Sequence, residues 1–267
     1  MLDEMFGSDD EDQEEQRADG AATCFETTKR PITSGVLQFH NGTEESMYHF
    51  VKRKAVQGDC PGILRAIDEF CYTQHWMMHV GDKKLPFLQM SLDMASENTS
   101  GKLILVELGS YCGYSAIYLG SNLHFDRGDR LLCVEREPQC VFWTRRMLDY
   151  AGLAAVSVVQ GTAADVGVWG ATLSVDLLFV DHDKAAYLAD LRLLEGLLHP
   201  GSVVVADNVL SFGQPLTEYL AHVRDPLGPY RSSQLHEGFV EYCGLGDSGG
   251  AAGIDSDGGG GGGSAGG

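Results

Sequence analysis

The sequence lacks the basic residues that a nucleic-acid-binding protein needs. Lys and Arg number 19 against 38 Asp and Glu, so the formal net charge is −19. Residues 1–20 carry nine acids and a single Arg, and residues 244–267 carry three acids and no base, which leaves −8 for residues 21–243. Because such a chain repels a phosphate backbone and an anionic membrane surface, we expect neither nucleic acid nor membrane as a partner.

The sequence also lacks the segments that direct a protein into or through a membrane. No apolar run approaches the roughly 18 residues that a bilayer-spanning helix requires. The N-terminus is acidic, whereas a signal or transit peptide would be basic. We therefore expect a soluble protein that resides in the cytoplasm.

Closely spaced cysteine pairs are absent as well. The seven cysteines are odd in number and include no CxxC pair. A disulfide framework or a zinc site would use even numbers or tight spacings. We therefore expect reduced thiols in the core.

The two ends of the chain have compositions that do not support a packed core. The acidic residues 1–20 are followed by a stretch without clear periodicity, so we predict a disordered tail over residues 1–43. Residues 244–267 contain 13 glycines, six of them consecutive, which predicts a flexible coil. The sequence thus predicts one folded domain over residues 44–243.

Within this domain, the hydrophobic pattern changes near Gly101. Residues 44–99 have helical periodicity, with Ile63, Ile67 and Phe70 on one face. Short, nearly continuous apolar runs then begin, which is typical of strands that are buried on both faces. These runs are Leu103–Leu108, Leu131–Glu135, Val156–Gln160, Val175–Val180 and Ser202–Ala206.

Helical stretches separate these predicted strands. Pro138 suits the first turn of one helix, and Tyr187, Leu191, Leu194 and Leu198 share one stripe of another. Strands that alternate with helices predict right-handed βαβ units and a parallel sheet. The predicted fold class is therefore α/β, with a doubly wound sheet and an N-terminal helical cap.

The first strand ends in Glu107-Leu-Gly109-Ser-Tyr-Cys-Gly113, where ligands bind in sheets of this kind. Gly109 permits a sharp turn, and Gly113 permits close helix packing. The segment lacks the GxGxxG pattern of diphosphate binders. A carboxylate at a strand end suits a cationic ligand, which favours S-adenosylmethionine over NAD. Glu135, at the end of the second strand, is placed to accept ribose hydroxyls, although either acid alone could be a solvated strand end.

Acids also follow the fourth and fifth predicted strands. Asp181 comes directly after one, and Asp207 and Asn208 follow the next. Adjacent parallel strands lie about 5 Å apart, so these side chains should converge as hard oxygen ligands for Mg²⁺. Lys184 lies one helical turn beyond Asp181 and can reach the same position. The alternative for Asp207 and Asn208 is a helix N-cap or turn pair.

Several ordered motifs make the sequence resemble the catechol O-methyltransferases, and their fungal and microbial branch in particular. The resemblance covers about residues 39–243 and implies a Rossmann-like, seven-stranded class I methyltransferase fold. It also implies Mg²⁺-dependent transfer of a methyl group from S-adenosylmethionine to one hydroxyl of a catechol. The motifs are FHNGTEESMYHFV at 39–51, RAIDEF at 65–70, MHVGDKK at 78–84, ELGSYCGYSA at 107–116, DYAGL at 149–153, VDHDKAAY at 180–187 and ADNV at 206–209.

The resemblance implies a role for each matching residue. The general base would be Lys184. The metal ligands would be Asp181, Asp207 and Asn208. The cofactor would be contacted by Met78, Val80, Glu107, Gly109, Tyr114, Ser115, Glu135, Ala163, Asp181 and His182. The catechol would be contacted by Trp76, Asp181, Lys184, Asn208 and a late glutamate, for which Glu241 is preferred and Glu237 is the rival.

The sequence departs from the family at three positions. Asp183 replaces an aromatic residue that flanks cofactor and substrate, Ala163 replaces a serine that contacts the adenine, and Phe212 lies near a wall position that is proline in the mammalian enzymes. The departures leave open an enzyme for another vicinal diol or a bulkier phenolic substrate. A non-catalytic S-adenosylmethionine-binding protein is a further alternative. We expect a monomer with a small-molecule substrate.

Overall fold

The computed structural model describes residues 42–169, 173–210, 216–236 and 241–242. No helix within these ranges is both long and apolar enough to span a bilayer. Residues 1–41 of the predicted N-terminal tail, the predicted C-terminal tail, Phe212 and Glu237 lie outside the described residues, whereas Thr43 begins the first helix. The limits of the folded domain therefore stay a prediction.

Eight α-helices and five β-strands are found in the described part of the chain. The helices are α1 (Thr43–Lys54), α2 (Cys60–Thr73), α3 (Leu85–Glu97), α4 (Tyr114–Ser121), α5 (Pro138–Tyr150), α6 (Ala163–Trp169), α7 (Tyr187–Leu194) and α8 (Thr217–Val223). The strands are β1 (Ile104–Leu108), β2 (Arg130–Glu135), β3 (Ser157–Gln160), β4 (Val175–Val180) and β5 (Leu198–Ala206).

The strands form one parallel sheet in the order β3-β2-β1-β4-β5. The chain moves outward from β1 to β2 and β3, and then returns to the other side of β1 with β4. The switch point of this sheet therefore lies between β1 and β4, where ligands bind in open α/β sheets. The predicted parallel α/β fold is confirmed. Seven strands are not, because the sheet of the described residues has five.

Alternate residues of the central strands face two separate hydrophobic clusters. Leu105 of β1 and Phe179 of β4 pack with helices α1–α5, whereas Val106 and Val180 pack with α6–α8. Such burial contributes about 25 cal/mol per Å² of apolar surface and is the main stabilising term. Helices on both faces make the sheet doubly wound, as predicted, and α1–α3 form the N-terminal helical cap.

Five of the seven cysteines lie in the described residues. All five are free thiols and are buried, as predicted; they are Cys60, Cys71, Cys112, Cys133 and Cys140.

Two details of the predicted strands are wrong. Strands β3 and β5 are only partly buried, because they lie at the edges of the described sheet. Leu198 belongs to β5 and not to the preceding helix, which ends at Leu194 and is followed by a 3₁₀ turn. Pro200 lies inside β5, which an edge strand with an irregular register tolerates despite the missing N–H donor.

Gly109 lies at the point where the end of β1 closely approaches the loop after β4. Its φ angle is +90°, and a Cβ atom would lie 2.5 Å from the carbonyl oxygen of Asp181 and 2.9 Å from Cα of His182. Backbone atoms cannot move aside as a flexible side chain can. Glycine is therefore required here both for its conformation and for the close approach of the two chain segments.

Replacing Gly109 with alanine should destabilise the fold more than the same change at Gly58. Gly58 has a similar φ of +83°, but no atom lies within 4 Å of its Cβ position. The two variants share the cost of a left-handed alanine, and only Gly109→Ala adds the collision. We expect Gly109→Ala to lower the free energy of unfolding by about 1–3 kcal/mol more than Gly58→Ala. Denaturant unfolding measures both values, and equal losses would contradict this account of the β1–β4 contact.

Candidate functional site

Backbone hydrogen bonds hold the carboxyl ends of β1, β4 and β5 next to one another. The amide of Asp181 donates to the carbonyl of Leu108 at 2.9 Å, and the amide of Asp207 donates to the carbonyl of Val180 at 3.0 Å. The end of β1 therefore holds the first residue after β4, and the end of β4 holds the first residue after β5. The side chains that follow these strands share one edge of the sheet.

Glu107 is a fully buried acid at the end of β1. One carboxylate oxygen accepts a hydrogen bond from the Ser115 hydroxyl, whereas Oε2 has no partner among the described residues. Burial raises the pKa of Glu107 to about 7, although contacts with the Cys133 thiol and the Ser115 hydroxyl oppose the shift. A buried carboxylate with an unpaired oxygen is costly, so this position suits a ligand that brings an amino group.

Glu135, at the end of β2, is held by two backbone donors. Its Oε2 accepts from the amide of Tyr111 at 3.0 Å, and its Oε1 accepts from the amide of Glu137 at 2.9 Å. A carboxylate has acceptor capacity for further hydrogen bonds. Glu135 is thus an oriented acid that supports the turn after β1, and not a freely solvated strand end.

His79 connects the loop before α3 to the first turn after β1. Its ring stacks on Tyr114 with centroids 5.5 Å apart, and the Tyr114 hydroxyl donates to Asp68 in the cap at 3.0 Å. Burial lowers the pKa of His79 to about 3, so the ring is neutral. On either side of His79, Met78 is half-buried and Val80 is buried. Through its contacts with His79 and Asp68, Tyr114 at the start of α4 holds the helical cap against the turn after β1.

His182 follows Asp181 in the loop after β4. Its ring stacks on Tyr187 at 5.1 Å, and Nε2 lies 2.7 Å from a carboxylate oxygen of Asp190. Its Nδ1 is buried and has no partner in the described ranges. Burial lowers the pKa of His182. Asp183 is exposed and accepts from the amide of Ala185, so it supplies no aromatic wall.

The remaining predicted cofactor residue, Ala163, is buried at the first position of α6. Among the predicted cofactor residues, Glu107 and Ser115 share a direct hydrogen bond, and Glu135 contacts the turn that follows Gly109. No hydrogen bond connects Ala163 or Met78 to these acids among the described residues.

Side-chain oxygens of Asp207, Asn208 and Glu241 surround one ammonium group; we call them the oxygen cluster. Lys84 Nζ lies 2.7 and 2.8 Å from the two carboxylate oxygens of Asp207 and 2.8 Å from Asn208 Oδ1, and it also contacts Glu241. Burial alone would lower the pKa of Lys84, but Asp207 and Glu241 raise it above its usual value. The amine is therefore charged, and these oxygens form a cation-binding position.

Asn208 has an unusual backbone conformation within this cluster. Its φ angle is +58°, in the left-handed region that costs a non-glycine residue free energy. Asparagine tolerates this region better than most residues. The turn brings the Asn208 amide oxygen to the same ammonium group that Asp207 binds.

Lys184 lies beside this cluster, on the loop after β4. Its Nζ donates to Asp181 Oδ1 at 2.9 Å and to the Tyr187 hydroxyl at 2.6 Å. That hydroxyl in turn donates to the carbonyl oxygen of Asp207 at 3.1 Å. Burial and the nearby Asp207 raise the pKa of Asp181, whereas Lys184 opposes the shift. Asp181 and Lys184 are thus connected through Tyr187 to Asp207, the residue that binds Lys84.

The donor set at this edge fits a hard divalent cation. Carboxylate and amide oxygens are the ligands that Mg²⁺ prefers, with water or substrate completing the shell. The Lys84 ammonium acts as a stand-in ion, because it already collects oxygens of Asp207 and Asn208. The described residues contain no group of three or more His, Cys, Asp or Glu side chains arranged for a metal, and the proposed set includes an asparagine.

Glu241 is also anchored through its backbone. The indole nitrogen of Trp76 donates to the carbonyl oxygen of Glu241 at 2.9 Å, and the Tyr242 hydroxyl donates to Asp68 at 3.0 Å. The cap therefore holds this late segment at the oxygen cluster. The choice between Glu241 and its rival stays open, since Glu237 lies outside the described residues.

The sequence analysis assigned no role to Lys84 or Tyr187. Lys84 ends the MHVGDKK motif, but nothing local shows that its amine reaches Asp207, which is 123 positions away. Tyr187 was assigned only to the apolar stripe of α7, although it lies three positions after Lys184 and its ring is fully buried. The spacing of three places both side chains on one helical face and could have indicated their contact.

Comparisons with known proteins identify the family of this chain. Residues 106–209 match the family model described as a methyltransferase domain. The chain is 37% identical over 208 residues to catechol O-methyltransferase of Mus musculus, covering 75% of this chain and 74% of that protein. It is 31% identical over 212 residues to the transmembrane O-methyltransferase of Homo sapiens, covering 76% and 69%.

A solved structure from Klebsiella pneumoniae, assigned as an O-methyltransferase, has the same fold. Its TM-score is 0.50 at 19% identity, covering 70% of this chain and 80% of that one. The sequence relatives decide the family, because their identity extends over more than two thirds of each protein. The chain belongs to the catechol O-methyltransferase family of class I methyltransferases, and it is a methyltransferase.

Proposed function

We propose that the protein transfers a methyl group from S-adenosylmethionine to one hydroxyl of a catechol and that this reaction requires Mg²⁺. The observation that carries the proposal is the oxygen cluster, which binds a cation directly beside Lys184. A vicinal diol has two oxygens that can bind one metal ion together, whereas a monophenol has only one. The name of the mouse relative supports the same substrate class.

S-adenosylmethionine fits the acids at the ends of β1 and β2. The unpaired Oε2 of Glu107 would accept a hydrogen bond from the amino group of the cofactor. The remaining lone pairs of Glu135 would accept hydrogen bonds from the ribose hydroxyls. When bound, the sulfonium supplies the methyl group for an in-line displacement. These residues hold and orient the cofactor, and orientation alone can remove several kcal/mol of the barrier.

Asp181, Asp207 and Asn208 would hold Mg²⁺. When bound, the ion supplies positive charge that makes a coordinated hydroxyl more acidic. Glu241 would accept a hydrogen bond from the second catechol hydroxyl, and Trp76 would keep Glu241 in position through the indole contact. These contacts orient the substrate and distinguish it from a simple phenol.

Lys184 would act as the general base. A neutral phenol is a weak nucleophile, so the reacting hydroxyl has to lose its proton as the methyl group is transferred. The Lys184 amine would accept that proton, and the resulting ammonium would be stabilised by Asp181 and by the Tyr187 hydroxyl. Tyr187 is oriented for this role, because its own proton is directed to the carbonyl of Asp207.

A bulkier phenolic or another vicinal diol is the second candidate substrate. Asp183 is exposed where the family resemblance implies an aromatic wall, so no bulky ring occupies this position. A larger ring system would be accommodated there. The expected cytoplasmic location, the monomeric state and the absence of nucleic-acid and membrane partners stay predictions.

A methyl-transfer assay over catechols, bulkier diols and monophenols tests the proposal. We expect turnover of vicinal diols with Mg²⁺, loss of turnover with EDTA, and recovery when Mg²⁺ is restored. Asp207→Ala should abolish turnover, since it removes one of three protein ligands, while calorimetry should still detect S-adenosylmethionine binding.

Activity that is confined to monophenols, or that is indifferent to EDTA, would refute the catechol and metal assignments. A protein that binds S-adenosylmethionine but methylates neither diols nor monophenols would instead support a non-catalytic role.

Lys184→Ala should lower the turnover rate by about 10²–10⁴-fold, which is the usual contribution of a positioned general base. Cofactor affinity should change little, because Glu107 and Glu135 are unaltered. Lys184→Arg should not restore the rate, because a guanidinium stays protonated and cannot accept a proton. Steady-state kinetics at neutral pH measures both variants.

Near-native turnover of Lys184→Arg would show that position 184 supplies only positive charge. That result would remove the general-base assignment and leave the metal-dependent reaction intact.

The buried Glu107 predicts a pH dependence of cofactor binding. Its pKa of about 7 in the cofactor-free protein lies above the ordinary 4.5. The free energy of unfolding of the cofactor-free protein should therefore fall as the pH rises from about 4.5 to about 7. A bound amino group favours the ionised form, so binding should release a proton below pH 7. Affinity for S-adenosylmethionine should therefore rise with pH by up to about tenfold per unit and level off near pH 7.

Glu107→Gln provides the control for this dependence. The amide cannot ionise, so calorimetry should detect weaker binding without the slope below pH 7. At pH 8 the cofactor-free variant should melt at a higher temperature than the unmodified protein, because a buried charge is gone. An unchanged slope in the variant would assign the titration to another group.

A further inference from the structure

We propose that Lys84 is a built-in competitor for the divalent cation. Its ammonium fills the oxygen cluster in the metal-free protein and has to withdraw before the cation binds. This inference rests on the metal site of the proposed function, and it adds a residue of the chain that controls occupancy of that site.

The first support is the geometry around the amine. Three residues supply four oxygens to one ammonium group, with distances of 2.7–2.8 Å for the Asp207 and Asn208 contacts. Lysine has three N–H donors, so every donor is engaged. Two of the three residues that we assign to the metal, Asp207 and Asn208, therefore already have a cation as their common partner.

The second support is burial. The side chains of Lys84, Asp207 and Glu241 are 13%, 11% and 8% exposed. Lys83, by contrast, is 66% exposed and pairs with its neighbour Asp82 at 3.4 Å. Lys84 is thus a desolvated counter-ion, whereas Lys83 is an ordinary surface lysine whose ion pair contributes little.

The third support is steric and electrostatic exclusion. Mg²⁺ binds oxygens at about 2.0–2.1 Å, so it would lie among the oxygens that Lys84 now contacts. Two cations cannot share this position. The flexible four-carbon stem of lysine allows the amine to move away.

Three consequences follow from this competition. Metal affinity is lower than the oxygen ligands alone would give, because binding includes the displacement of Lys84. Lys84 stabilises the metal-free protein, since Asp207 and Glu241 would otherwise be buried acids without a counter-charge. Cation binding also exposes the Lys84 amine to solvent.

Metal-binding measurements on Lys84→Met test the first consequence, with Lys83→Met as the matched control. Methionine keeps an unbranched, flexible side chain and removes the charge. Electron paramagnetic resonance of Mn²⁺ gives the affinity without any turnover. We expect Lys84→Met to bind Mn²⁺ at least about tenfold more tightly than the unmodified protein, and Lys83→Met to stay within about twofold.

Two further measurements cover the case in which Lys84→Met folds poorly. Lys84→Gln should bind Mn²⁺ more tightly as well, and its melting temperature should be below that of the unmodified protein without metal and approach it at saturating Mn²⁺. In the unmodified protein, reductive methylation followed by mass spectrometry should label Lys84 faster when Mg²⁺ is added, with Lys83 unchanged.

Mn²⁺ binding that is no tighter in Lys84→Met and Lys84→Gln would overturn the inference, as would Lys84 labelling that is indifferent to Mg²⁺. Equal Mn²⁺ binding by all variants would leave the proposed metal site intact. Absence of Mn²⁺ binding from every variant and from the unmodified protein would overturn the metal site and the inference together.

Discussion

Parallel strands that end at one edge of a sheet bring their terminal side chains together, and in this chain most of those side chains are acids. Glu107 and Glu135 lie at the ends of β1 and β2, and Asp181 and Asp207 come directly after β4 and β5. Like charges that share a desolvated edge repel, so each acid needs a donor or a cation. The loops of the site are arranged around that requirement.

The acids are balanced in two different ways. Glu135 accepts backbone amides, and Asp207 and Asp181 have lysine partners. Glu107 accepts a hydrogen bond from Ser115 and has the weak Cys133 thiol beside it, and its Oε2 has no hydrogen-bond partner among the described residues. The positions that are least balanced by the chain itself are the ones that we assign to the amino group of the cofactor.

The helical cap participates in the site as well as in the core. Tyr114 and Tyr242 both reach Asp68 of α2, and Trp76 reaches the backbone of Glu241. These contacts tie the loop before α3, the turn after β1 and the late segment to one another. A change in the cap would therefore be expected to alter the substrate side of the site before it altered the sheet.

The sequence by itself determined the parallel α/β fold and the acids at the strand ends, because alternating apolar runs and helices are local patterns and strand ends share one edge. It misjudged the burial of β3 and β5, since a run of apolar residues does not reveal its place in the sheet. Only the tertiary structure decided that Lys84 meets Asp207 across 123 positions and that Trp76 meets Glu241 across 165. Such contacts depend on how the cap packs against the sheet, and no pattern within a few neighbouring residues encodes that packing.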